Sequence, residues 1–281
     1  MSDADPLIRF DHVSLRVDGR TFLRQVSLSV QEGETLVVAG LPGCGKSFIL
    51  RLILGLPGTG LSDSVAVEGQ VLAEGESVLD MPAPVLQQWR CRTSSVMRGG
   101  GLIENMDVRR NILLPLLYHC RDFMEPAEID ARCDRLLDEL GIGELDVRGL
   151  RPVSLNREQR VYVSLARALI VEPRVLLMDD PVEGLSPERA RRLKSFCLEY
   201  SSSASSPGRG PVTRVVTTND LSRYLDHGNR FAVLSGGCLE DIGDRAAAQT
   251  STDERVQELM TCGPPAGQVA AATAEMAVGR V

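Results

Sequence analysis

Gly40-Leu41-Pro42-Gly43-Cys44-Gly45-Lys46-Ser47 reads G-x-x-x-x-G-K-S, with the apolar run Thr35-Leu36-Val37-Val38-Ala39 before it and a helical run from Phe48 to Gly55 after it. Strand, glycine loop and helix in that order are the setting in which this motif grips phosphate. The glycines let successive backbone N–H groups converge on phosphate oxygens, and the following helix turns its positive end toward them. Lys46 is placed for the β and γ phosphates and Ser47 for Mg²⁺. Gly40, Pro42, Gly43, Cys44, Gly45, Lys46, Ser47 and Phe48 are therefore the expected binding residues, and ATP with Mg²⁺ the expected cofactor.

The 281 residues, 43% hydrophobic and 25% charged, suffice for a full α/β core. A net charge of -7, with arginines scattered along the chain, argues against a nucleic-acid partner, which would need a basic stripe. The most apolar region, Thr35 to Leu56, is broken by Lys46 and Arg51, so no membrane-spanning stretch is expected. Met1-Ser2-Asp3-Ala4-Asp5-Pro6 is acidic and lacks the basic start of an export signal. Seven cysteines form no C-x-x-C pair, which fits reduced thiols in the cytoplasm, with Cys44 a filler of the phosphate loop. His12, His119 and His227 have no metal-ligand spacing.

Upstream of the loop, residues 7–10, 13–17 and 26–30 read as short strands separated by Asp18-Gly19 and Glu32-Gly33 turns, which predicts an antiparallel sheet. Val65 to Leu79 alternates again, around Glu68-Gly69 and Glu74-Gly75 turns. From about 107 to 141 the period becomes helical, through Val108, Ile112 and Leu116, then Ile129, Cys133, Leu136, Leu137 and Leu140; Pro126 opens the second helix and Gly141 closes it. Trp89 and Tyr118 are expected to pack this helical insert. Strand-like runs at 175–178 and 214–217, separated by helical stretches at about 157–172 and 187–200, predict a largely parallel, doubly covered sheet. Ser201 to Gly210 reads as a flexible loop, and 263–281 as an Ala/Gly/Pro tail.

Val175-Leu176-Leu177-Met178-Asp179-Asp180-Pro181 ends an apolar strand in two carboxylates, one placed to hold Mg²⁺ and one to orient an attacking water. With it the chain resembles the nucleotide-binding subunit of an ABC transporter. Walker A lies at 40–47, a Q-loop region near 98, a signature region at 155–159, Walker B at 175–180, a D-loop at 184–187 and a switch position at 219; the resemblance covers roughly residues 7 to 245. It implies a P-loop NTPase of ABC type: a mostly parallel RecA-like core sheet, an N-terminal antiparallel β subdomain and an inserted α-helical subdomain. Residues 1–245 would form the ATP-binding domain, with the helical part at about 86–160, and 246–281 a C-terminal helix and flexible tail.

The departures from the family pattern carry the functional expectation. Where the family has L-S-G-G-Q, this chain has Leu155-Asn156-Arg157-Glu158-Gln159; in the family this segment meets the γ-phosphate of a partner subunit. Asn156 and Glu158 therefore count as binding positions, and Glu158 places a carboxylate near phosphate. Each unit charge pair there costs roughly 3 kcal/mol at about 5 Å and an effective dielectric of about 20, unless Arg157 compensates. The Q-loop glutamine aligns with Arg98, followed by Gly99-Gly100-Gly101; the catalytic glutamate with Asp180, one methylene shorter; the D-loop aspartate with Ser186; the switch histidine with Asn219; and the adenine-stacking aromatic with Val17. Ser47 and Asp179 remain the expected metal ligands. Substitution in this many motifs implies that ATP is held better than it is split.

Leu102 to Leu116 resembles the segment after the Q-loop in Mla/Mce-type phospholipid transporters and in lipoprotein-release/MacB-type exporters, and Thr252 to Met260 resembles the ending of the Mla branch. The resemblance implies a cytoplasmic subunit, peripheral on the inner membrane beneath a permease. It would pair with itself or a homologue, and possible further partners include an Mce-type lipid-binding protein. A regulatory or scaffolding pseudo-ATPase is the alternative from another class.

Overall fold

The computed structural model describes residues 5–58, 64–119, 126–142, 148–202 and 211–261. In chain order the first elements are β1 (Ile8–Val17), β2 (Arg20–Val30), β3 (Thr35–Ala39), α1 (Lys46–Ile53), β4 (Val65–Ala73), β5 (Glu76–Ser77), α2 (Ala83–Arg92) and β6 (Thr93–Val96). There follow α3 (Val108–His119), α4 (Pro126–Glu139), α5 (Arg157–Leu169), β7 (Val175–Asp179), α6 (Pro187–Ser202), β8 (Thr213–Thr218), β9 (Arg230–Ser235), β10 (Cys238–Gly243), α7 (Arg245–Thr250) and α8 (Glu254–Thr261).

These elements build two sheets. The N-terminal one is antiparallel in the order β2-β1-β4-β5. The second runs β10-β9-β3-β8-β7-β6; its five strands from β9 to β6 are parallel, and only β10 is antiparallel. Strands β3, β7 and β8 are buried at every residue, as expected of parallel strands covered on both faces. Period-two geometry then divides their side chains between two cores. Val37, Ala39, Leu176, Met178 and Val216 face a core shared with α3, α4, α5 and α6. Leu36, Val38, Val175, Leu177 and Val215 face a core shared with α1 and the antiparallel sheet. The loop after β3 and the ends of β7 and β8 thus emerge side by side at one edge.

Several elements differ from the sequence reading. The two strands expected at 7–10 and 13–17 are one strand, because a bulge at His12 (φ 50°) carries β1 through the polar pair Asp11-His12. Glu68-Gly69 is no turn: Gly69, at φ 81°, lies inside β4 opposite that bulge, where a Cβ would sit 2.4 Å from the His12 carbonyl oxygen. Trp89 packs with α1 and the antiparallel sheet rather than with the helical insert, its Nε1 donating to the Ile53 carbonyl at 2.7 Å. Tyr118 is 77% exposed rather than buried in the insert. Ser201 and Ser202 finish α6, while the rest of the expected 201–210 loop and the 263–281 tail lie outside the described residues. Among the described residues no helix is long and apolar enough to cross a membrane.

Candidate functional site

Helix α1 begins at Gly45, whose φ of 111° only glycine adopts readily, and it has no side-chain cap and no acidic residue in its first turn. Its positive end is left for an anion. Gly43, at φ 75°, faces open space, whereas a Cβ on Gly40 would lie 2.5 Å from the Leu234 carbonyl oxygen. The Lys46 ammonium is buried and donates to the carbonyls of Gly40 at 2.6 Å and Leu41 at 2.9 Å, and to Asn219 Oδ1 at 2.9 Å. Burial pulls its pKa below the ordinary lysine value. Cys44 Sγ is 3.8 Å from the same ammonium, and Pro42 is exposed on the loop.

Ser47 Oγ donates to Asp179 Oδ2 at 2.8 Å, and Thr217 Oγ1 donates to Asp179 Oδ1 at 2.7 Å, so two hydroxyls from neighbouring elements fix that carboxylate. A serine hydroxyl and a carboxylate converging beside a phosphate loop form a hard oxygen donor set that fits Mg²⁺. Asp180 follows at φ 45°, a left-handed conformation that is strained for a side chain of this kind and is secured by its N–H donating to the Thr217 carbonyl at 2.9 Å. Its carboxyl is buried, which together with the charge of Glu183 pushes the pKa up to about 6, against the pull of Arg98, Arg223 and the Asn219 N–H.

Arg98 comes from the loop after β6 and bridges two carboxylates, Asp180 at 3.6 Å and Glu183 at 3.5 Å. Gly99, Gly100 and Gly101 are all left-handed, and Arg167 of α5 donates to the carbonyls of Gly100 at 3.1 Å and Gly101 at 2.9 Å. Glycine is required at Gly100 because a Cβ would lie 2.9 Å from the Arg160 carbonyl oxygen. The sequence reading did not find Arg167, Thr217 or Glu183, whose roles depend on contacts between distant segments.

The 155–159 segment is a helix start. Asn156 Oδ1 accepts from the Gln159 N–H, and Gln159 Oε1 accepts from the Asn156 N–H, both at 2.9 Å, forming a capping box on α5. Glu158 is compensated, though not by its neighbour: it pairs with Arg189 of α6, whereas Arg157 turns to Glu183 at 3.2 Å. Val17 offers no stacking face, since it is 6% exposed and packed into the N-terminal core. The aromatic beside the loop is Phe22 of β2, half-buried against the position of Gly45, with its ring centroid 4.6 Å from that of Phe48 and the Arg20 guanidinium 4.8 Å above it. An aromatic in a strand with an arginine two residues earlier was the available signal. Among the described residues no His/Cys/Asp/Glu group forms a further metal cluster.

The site brings together Lys46, Ser47, Asp179, Asp180, Asn219 and Arg98, and leaves Asn156 and Glu158 on the separate start of α5. A family model described as "ABC transporter" matches residues 23–183. The sulfate/thiosulfate import ATP-binding protein CysA of Xanthomonas campestris pv. campestris is 32% identical over 84% of this chain and 63% of its own length. The spermidine/putrescine import ATP-binding protein PotA of Roseobacter denitrificans is 30% identical over 80% of this chain and 55% of its own length. The chain thus spans about three fifths of the length of these curated relatives. A dimeric structure of the bacterial ABC transporter cassette MJ0796 superposes with a TM-score of 0.71 at 25% identity, covering 83% of this chain and 96% of that one.

Proposed function

We propose, on the premise that this chain belongs to the ABC transporter ATP-binding family, that it is the nucleotide-holding subunit of a membrane transporter, with slow or absent ATP hydrolysis. A permease partner carries it to the inner membrane, and it pairs with itself or a homologue. The observation that carries this reading is the contrast inside one site. The phosphate loop is complete, with α1 uncapped, while the carboxylate next in line, Asp180, is tied to Arg98 and buried. Ser47 and Asp179 would hold Mg²⁺, which supplies charge neutralisation of the phosphates. Phe22, beside Gly45, offers an aromatic surface for the base.

Cargo is a separate question. The lipid-transport reading rests on two segments whose pattern has another use here. Leu102, Val108, Ile112 and Leu116 are buried in the helical core, as Val256 and Leu259 of α8 are. Residues selected for packing carry little information about cargo. An anion importer and a polyamine importer resemble the chain about equally, so lipid cargo has no support beyond those segments.

ATP titration of the purified chain, alone and with the proteins that co-purify with it, tests the proposal. Wild type is expected to bind, Lys46→Ala to lose binding, and the triple variant R98Q/D180E/N219H to raise turnover about tenfold or more. Turnover by the wild-type complex at the rate of that triple variant would remove the case for a degenerate site.

A further inference from the structure

The charge inventory around the phosphate loop is unusual. Lys46 and Arg98 face Asp179 and Asp180, with Glu183 also against Arg98 and Arg223 acting on Asp180. An uncharged residue at 98 would remove one cation while Asp179, Asp180 and Glu183 all stay, and a triphosphate would then depend on a divalent ion for more of its neutralisation. The backbone of the loop that carries Arg98 is held in place by built features. Three consecutive left-handed glycines turn the loop, Arg167 pins two of their carbonyls, and Gly100 fits against the α5 backbone with no room for a side chain. The Arg98 side chain has room to change partners: it is 44% exposed, and its contacts to Asp180 and Glu183, at 3.6 and 3.5 Å, are ion pairs rather than short hydrogen bonds. When Arg98 leaves, Glu183 keeps Arg157.

We propose that Arg98 takes over part of the divalent ion's task, so that this site holds a nucleoside triphosphate with little need for Mg²⁺. The proposal rests on the nucleotide-binding reading above and extends it to the form of the ligand. On arrival of the phosphates the guanidinium exchanges carboxylate oxygens for phosphate oxygens, a planar bidentate match that a lysine makes less well.

Calorimetric ATP titration in Mg²⁺ and in EDTA, on wild type, Arg98→Gln, Arg98→Lys and Lys46→Ala, tests it, with thermal melting of each variant showing that the fold is retained. Wild type is expected to lose no more than about threefold in affinity on removal of Mg²⁺, and Arg98→Gln about tenfold or more, the Coulomb gain being discounted for exposure. Arg98→Lys should fall nearer wild type. If wild type loses as much in EDTA as Arg98→Gln does, or if Arg98→Gln is as indifferent to Mg²⁺ as wild type, the proposal is overturned while nucleotide binding stands. If wild type fails to bind ATP even with Mg²⁺, the parent reading falls and this one with it.

Discussion

Asn111 shows what a single buried amide can organise. Fully buried in α3, it accepts from the Ile103 N–H at 2.8 Å and donates to the carbonyls of Ile103 at 3.1 Å, Met106 at 3.2 Å and Asp107 at 3.0 Å. The chain between the Arg98 loop and α3 folds around it. Asn111→Ala strands those backbone groups away from water, so a loss of about 2–4 kcal/mol is expected in chemical denaturation; a loss below about 1 kcal/mol would mean that water replaces the amide. His227 makes a pH prediction. Burial, then the Lys194 charge, hold its pKa below the ordinary histidine value, against Asp226. A base whose folded pKa is depressed is neutral in the fold while the unfolded chain takes up its proton, so stability is lost as pH falls below about 6.5. His227→Gln removes that loss. The melting temperature of wild type relative to the variant should therefore drop between pH 8 and pH 5, and an unchanged difference would contradict the assignment.

Helix α5 is secured at its first turn by the Asn156–Gln159 capping box. Asn156→Ala removes the side-chain acceptor of the capping box and is expected to cost about 1 kcal/mol, measurable as a lower denaturation midpoint. Asn156→Ser should keep most of it. That cap was legible in the sequence only as a departure from a family pattern, because the pair Asn156 and Gln159 acts through backbone N–H groups three residues apart. Strands β3, β7 and β8 were readable because burial on both faces writes continuous apolar runs into them. Helix α2 was not: among its ten residues only Trp89 is buried, so no period marks it. Strand β6, Thr93-Ser94-Ser95-Val96, is polar in composition and is a strand only because β7 pairs with it. The hairpin of β9 and β10 did have a local signal in Gly236-Gly237, both at positive φ. Within the site, the loop and Asp179 were legible from contiguous residues. The partners of Asp180 and Glu158 were not, since Arg98 and Arg189 lie 82 and 31 positions away.

At the scale of the whole molecule, the question is whether charges at the start of α5 allow two chains to pair in the presence of ATP; a cassette with the same fold is dimeric. An uncompensated Glu158 would oppose a partner's phosphates. Here Glu158 pairs with Arg189, and Arg157 with Glu183, which Arg98 also contacts. Glu158 is also the more sheltered of its pair and lies in the first turn of α5, where the helix dipole favours a carboxylate, so it is Arg189, reaching from α6, whose removal unbalances the surface. Arg189→Ala is therefore expected to weaken ATP-dependent dimerisation, measured by light scattering across a protein dilution series, roughly tenfold once exposure is discounted. Addition of Glu158→Gln to Arg189→Ala should restore it, because the unpaired carboxylate is then gone, and the Lys46→Ala chain should not dimerise with ATP in either background. Equal dimerisation by wild type and Arg189→Ala would mean that the start of α5 does not face phosphate in the closed pair, and the substituted 155–159 segment would then have to act within its own chain alone.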